Sequence, residues 1–158
     1  MRPAAIGGGA NRQVHSHIRA DEIFWWDPAD TSPARRECLD RFEQLRLALN
    51  LHLQLGLWDF ECHYSSYAPG TFYRRHLDQI AGETARRVSC VLYLNNAWQP
   101  ADGGALRIFL AKTMDAPYED IFPEGGKLVL FSSDRFPHEV LSCGRERYSL
   151  AGWFRVRL

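Results

Sequence analysis

From residue 58 onward the chain is written as short stretches of β-forming residues, each closed by glycine, proline or asparagine. No other feature narrows the fold as much, because regularly spaced short strands with such turns need sheets to pack on sheets. Residues 58–67 alternate, with Phe60, Cys62 and Tyr64 on one side and Glu61, His63, Ser65 and Tyr67 on the other. Further strands are expected over 87–94, 105–110, 127–132, 138–142 and 148–156, and a shorter one within 17–26, ended by Asp27 and Pro28. One segment has a different period. Leu39, Phe42, Leu45 and Leu49 recur at three- and four-residue spacing, with Arg35, Arg36, Glu43 and Arg46 on the other side. That pattern is an amphipathic helix laid on a sheet, with Ser32 as N-cap, Pro33 in its first turn and an end near Gly56. His52 falls on this helix, where a surface or packing role is expected. Residues 1–12 are Gly-rich and expected to be partly ordered; 79–86, containing Gly82, read as a mobile loop, and 111–126 as a long connection. One helix followed by many strands predicts a mainly β fold, a double-stranded β-helix (jelly roll) with at least one supporting α-helix packed outside. With 158 residues and neither repeat nor linker, residues 1–158 are expected to form a single domain.

Charge excludes some partners. Lys plus Arg and Asp plus Glu are 19 each, so the chain lacks the basic excess of a nucleic-acid binder. No apolar run is long enough to cross a bilayer, and the N-terminus carries no secretory signal, so no membrane partner is expected. Cys38, Cys62, Cys90 and Cys143 show no zinc spacing and fit reduced thiols of a cytoplasmic protein, three of them buried.

The chemistry lies in residues 67–78, which end in His76-x-Asp78. In an extended segment, positions i and i+2 face the same way, so imidazole and carboxylate reach one cation. His138 lies far downstream. Two histidines and a carboxylate on one face of an octahedron form the ligand set of non-haem Fe(II) oxygenases. The bland alternative is a surface histidine, a turn aspartate and a strand histidine. Arg147 weighs against it: it shares a strand face with Ser149, Ala151 and Trp153, and Trp153 is best placed inward. A buried arginine needs an anion, and a carboxylate matches its fork. Tyr93, on a face with Ser89 and Val91, would share that anion or, alternatively, sit at the sheet edge with its hydroxyl in water. Tyr67 and Tyr73 flank the turn before the metal pair and either could line the chamber. His63 is a rival ligand, and Arg135 and Arg145, at turns, read as solvated.

The segments 67–78, 88–95, 103–109, 133–140 and 147–153, in this order, resemble the prolyl hydroxylase branch of the 2-oxoglutarate/Fe(II) dioxygenases, and most of all bacterial relatives of the oxygen-sensing hydroxylases. The resemblance covers residues 17–156. It implies that His76, Asp78 and His138 ligate iron, that Arg147 pairs with the distal carboxylate of 2-oxoglutarate, and that Tyr93 hydrogen-bonds to it. Tyr67 matches a tyrosine beside the chelating end of the cosubstrate, at a slightly different spacing from the HxD pair. Arg19, Asp21, Arg86 and Tyr73 match the substrate side, and 79–86 a segment that closes over substrate. Implied cofactors are Fe(II) and 2-oxoglutarate, with ascorbate as reductant; the implied partner is a protein presenting an exposed proline, such as a translation factor. Family members usually carry a helical segment ahead of the position of Arg2, so this chain is expected to be a truncated or shortened member. Two other readings stay open, a non-catalytic metal- or ligand-binding jelly roll and a demethylase of the same superfamily; zero net charge and the histidine-to-arginine spacing weigh against the latter.

Overall fold

The computed structural model describes residues 1–5, 13–15, 17–27, 29, 32–79 and 85–158. Ten strands form two antiparallel sheets: β1 (Arg2–Pro3), β2 (Glu22–Trp25), β3 (Asp59–Tyr67), β4 (Tyr73–His76), β5 (Arg86–Tyr93), β6 (Leu106–Phe109), β7 (Tyr118–Ile121), β8 (Leu128–Ser132), β9 (His138–Val140) and β10 (Arg147–Arg155). The large sheet has the order β1-β2-β3-β10-β5-β8 and the small one β4-β9-β6-β7. The single long helix of the described residues is α1 (Pro33–Leu53). This is the jelly roll with an outer helix that the strand grammar predicts.

Two cores follow from the alternation along β3, β5 and β10. Phe42 of α1 stacks on Phe60 at 4.5 Å, and with Cys62, Val88, Cys90, Leu150 and Phe154 they fill the space between helix and large sheet. Leu39, Leu45 and Leu49 pack against this group, as their spacing predicts. Gly152 lies between Cys62 and Cys90 in the ladder, and a Cβ there would come within 2.4 Å of the Phe60 ring. The missing side chain is the space in which Phe60 lies. The second core, between the sheets, comprises Tyr67, Tyr93, Trp98, Leu106, Ile108, Phe131, Val140 and Cys143.

Ser32 caps α1, accepting a bond from the Arg35 amide, and Pro33 opens it. The end differs from expectation. Gln54, not a glycine, takes the left-handed C-cap (φ 52°), and Gly56 (φ 67°) turns the chain again two residues later. Asn50 holds this exit, accepting from the Leu57 amide at 2.7 Å and donating to its carbonyl at 2.9 Å. Arg46 donates to the same carbonyl, and Arg35 lies over Phe24, Trp26 and Tyr64, so neither belongs to the solvated face assigned to it.

Arg2 and Pro3 pair with β2 and Ala4 is buried; residues 6–12 lie outside the described residues. Three other expectations need correction. The connection 111–126 contains β7, which the sequence hides because Tyr118-Glu-Asp-Ile has only two β-formers. It forms because β6 offers a free edge, and Arg107 clamps it bidentately to Asp120 at 2.8 Å while lying over Tyr118. Arg86, expected in the loop, is the first residue of β5; positions 80–84 lie outside the described residues. Arg145, expected to be merely solvated, pairs with Asp102 at 3.6 Å and lies over Trp98, whereas Arg135 is exposed. The cysteines behave as expected: Cys62, Cys90 and Cys143 are buried, and all four are free. No helix among the described residues is long and apolar enough to cross a membrane.

Candidate active site

The two sheets face each other across a cavity of about 530 Å³, and most of the residues singled out by the sequence gather in its walls, Tyr93 and Asp21 lying buried behind them. β4 and β9 are neighbours in the small sheet, and His76 stands directly opposite His138 in their ladder. Asp78 follows two residues after the end of β4. Its Oδ1 lies 3.6 Å from His76 Nε2 and its Oδ2 3.5 Å from His138 Nε2. One ligand atom from each residue lies within 4.8 Å of the other two, close enough for small inward shifts to bring them around a common ion at about 2.0–2.2 Å.

The protonation of the two rings is set from outside the cluster. His76 Nδ1 lies 2.8 Å from the Arg74 carbonyl and His138 Nδ1 3.1 Å from the Phe136 carbonyl. Only a protonated Nδ1 can donate to a carbonyl, so in the neutral form of each ring Nε2 is the nitrogen with a lone pair for a ligand role. Burial holds the His138 ring neutral, lowering its pKa to about 4 against the pull of Asp78. Burial alone would raise the Asp78 pKa, but His138, His76 and the Ser89 hydroxyl together hold it far below the usual carboxylate range. Ser89 donates to Asp78 Oδ2 at 2.6 Å and is itself 2.9 Å from Ser133 Oγ. Tyr73 stacks on His76 at 3.6 Å, and Phe131 meets His138 edge-on at 4.7 Å.

Deeper in, Arg147 is 1% exposed, with its guanidinium carbon 5.0 Å from the Tyr67 ring and 5.1 Å from the Tyr93 ring. Its Nε donates to the Gly104 carbonyl at 2.9 Å, and NH1 reaches Ser149 Oγ at 3.5 Å. None of the ion pairs seen among the described residues involves Arg147. Beside it, the Tyr93 hydroxyl is buried next to Arg147 without a hydrogen bond of good geometry, and burial pushes its pKa up to about 12 against the pull of that guanidinium. A buried cation in the wall with a buried phenol beside it fits a bound acid: the guanidinium would take a carboxylate and the phenol could donate to it. Gly104 is shaped for this, since a Cβ there would stand 3.3 Å from Arg147 Cδ and 2.9 Å from Cys143 Cβ.

At the mouth, Arg19, Tyr73 and Arg86 line the cavity. Asp21, expected at the same rim, is 2% exposed and spends both oxygens on Arg19, at 2.6 and 2.9 Å. Burial works against the Arg19 charge, but the Asp21 bonds outweigh it and hold the pKa above its ordinary value. Arg19 lies over Tyr73 at 4.6 Å. His63 also faces the cavity, between Trp25 and Trp153 and away from the His76–Asp78–His138 group, so the geometry does not make it a ligand. The sequence reading missed Ser133 and Gly104 as partners of site residues. Ser89 was legible from its shared strand face with Tyr93, whereas no local pattern signals the other two.

Comparison with known proteins matches residues 62–155 to the model of the 2OG-Fe(II) oxygenase superfamily. The chain is 41% identical to mouse prolyl hydroxylase EGLN3 over 164 residues, covering 98% of this chain and 66% of that protein. It spans 20–25% of the length of the Egl nine homolog 1 proteins of human, mouse and rat. Among solved structures, a Pseudomonas putida prolyl-4-hydroxylase superposes with a TM-score of 0.82 at 53% identity, covering 89% of this chain and 74% of that one. A Trichoplax adhaerens prolyl hydroxylase, in complex with a peptide of hypoxia inducible factor, superposes with a TM-score of 0.83 at 27% identity, covering 94% and 69%.

Proposed function

The chain belongs to the 2OG-Fe(II) oxygenase superfamily, and from that premise we propose that it is a prolyl hydroxylase acting on a protein substrate, with release of succinate and carbon dioxide. One observation carries the reading: a single cavity holds an open three-ligand cluster and a buried guanidinium that no carboxylate of the described residues neutralises. Bound iron and 2-oxoglutarate supply the activation of oxygen and the attack on a C–H bond, chemistry no side chain offers.

The residues themselves bind, orient and exclude water. His76, Asp78 and His138 would hold the iron through two ring nitrogens and one carboxylate, and the cavity beside them would receive cosubstrate and substrate. Ser89 fixes the carboxylate plane of Asp78. Arg147 takes the distal carboxylate of 2-oxoglutarate and Tyr93 donates to the same group, while Tyr67 forms the adjoining wall. Arg19, aligned by Asp21, and Tyr73 and Arg86 border the approach of an extended peptide, the class of ligand that the Trichoplax relative holds. The proposed substrate is a component of the translation machinery and the proposed location the cytoplasm, where four free thiols are stable.

The test is succinate formation with Fe(II), 2-oxoglutarate, ascorbate and oxygen, with candidate proteins screened by mass spectrometry for one added oxygen on proline. Succinate formation without proline oxidation in any candidate would retain the oxygenase and remove the prolyl assignment.

A further inference from the structure

At the outer end of the cavity the large sheet places two arginines face to face. A register shift after Phe154 sets Arg155 of β10 directly opposite Arg86 of β5. Like charges in that position repel. Glu61 of β3 resolves the conflict: Oε1 accepts from Arg86 Nε at 2.9 Å and Oε2 from Arg155 NH1 at 3.0 Å. Arg155 is gripped separately by Asp59, at 2.8 and 2.6 Å, and does not line the cavity. Arg86 does, and its guanidinium carbon sits 3.7 Å above the Trp153 ring. The indole beneath it and the bond to Glu61 together restrain the guanidinium. Among the described residues, no acceptor meets its two terminal nitrogens.

We infer that Glu61 is a positioning residue for the substrate: it locks Arg86 on Trp153 so that the terminal edge of the guanidinium presents two N–H groups to a carboxylate beside the target proline. The inference rests on the prolyl hydroxylase reading above and adds a substrate preference for an acidic neighbour. Two parallel N–H donors match a carboxylate bidentately, and immobilising the fork in advance lowers the entropy cost of binding. A stabilising staple is the lesser role for this cluster, because ion pairs a quarter to a third exposed contribute little to stability.

The experiment compares the iron- and 2-oxoglutarate-loaded wild type with Glu61→Gln, Glu61→Asp and Arg155→Gln, on two peptides that carry glutamate or glutamine next to the proline. Wild type is expected to show a KM about tenfold lower for the glutamate peptide, in line with a charge-assisted pair. Glu61→Gln should lose that preference with kcat and peptide-free succinate formation unchanged, Glu61→Asp should restore part of it, and Arg155→Gln should keep it. In parallel, the Arg86 Nε–Hε resonance should be protected from solvent exchange in wild type and Arg155→Gln and lose protection in Glu61→Gln. Equal KM values for both peptides in wild type, an equal fall in peptide-free turnover, a matching loss in Arg155→Gln, or an unchanged Arg86 resonance in Glu61→Gln would each overturn the inference. A wild type that forms succinate but oxidises neither peptide sinks the prolyl reading instead, and the Arg86 resonance then decides the role of Glu61 alone.

Discussion

The two faces of the large sheet come from the same strands and are opposites. On the α1 side, Phe60, Cys62, Cys90, Leu150 and Phe154 form an apolar cluster, ring against ring, with Gly152 hollowed out to receive Phe60. On the cavity side, the residues between them include Glu61, His63, Ser65, Tyr67, Ser89, Arg147 and Ser149, most of them buried and polar, beside Val91, Ala151 and Trp153. The oily face is complete in itself. Among the described residues the polar face carries a guanidinium without a carboxylate, beside a buried phenol without a hydrogen bond of good geometry, so a ligand would complete it. Stability and function are thus divided by the pleat of a strand, and a substitution one position along should move from one account to the other.

The sharpest break in that division is expected from His76→Ala, which should abolish Fe(II)-dependent 2-oxoglutarate turnover while leaving the urea midpoint of the metal-free protein nearly unchanged. Phe154→Ala, fully buried on the other face, should do the reverse, lowering stability by about 3–5 kcal/mol with residual folded protein still binding 2-oxoglutarate. Tyr93→Phe sharpens the contrast further. Removing a buried hydroxyl that lacks a hydrogen bond of good geometry should leave the ligand-free protein as stable or stabilise it by about 1 kcal/mol, yet weaken 2-oxoglutarate binding about tenfold in calorimetry.

The smallest expected effect is in pH. Burial, aided by Arg19 and Arg86 and opposed by the Tyr64 carbonyl and Asp21, lowers the His63 pKa to about 4. An unfolded imidazole binds its proton near pH 6.5, so between these values the unfolded state holds more protons. The resulting stability is fully present above about pH 6.5 and is lost as pH falls towards 4. Urea midpoints measured across this window should fall less steeply in His63→Gln, with His138 leaving a residual slope because its pKa is lowered in the same direction.

Alternation made much of this legible in the sequence. The two sides of β3, the inward face of Arg147 with Trp153, and the helical stripe from Leu39 to Leu49 all follow from period and residue type. The His76-x-Asp78 pair with a distant His138 was legible because metal ligation demands those residue types. Partners supplied by the backbone or by another sheet element were not. Gly104 serves Arg147 through its carbonyl, Ser133 reaches Ser89 across strands, and β7 exists only because β6 has a free edge. Asp21 was named for the rim on account of its charge, whereas its burial behind Arg19 depends on how the N-terminal strands wrap the mouth.

The ladder that sets His76 opposite His138 also has a consequence for motion. β4 is the last strand of the small sheet, with β9 on one side and only the short bridge of Ile18, Arg19 and Ala20 on the other, and its register shifts between Tyr73 and His76. A cation shared by these two imidazoles would act as a cross-link at the free end of that strand, tying together segments remote in sequence. Fraying of the small sheet and loss of the ion then become one event. Chelation should accelerate amide hydrogen exchange along β4 selectively, so the metal content of a sample can be read from the breathing of one strand.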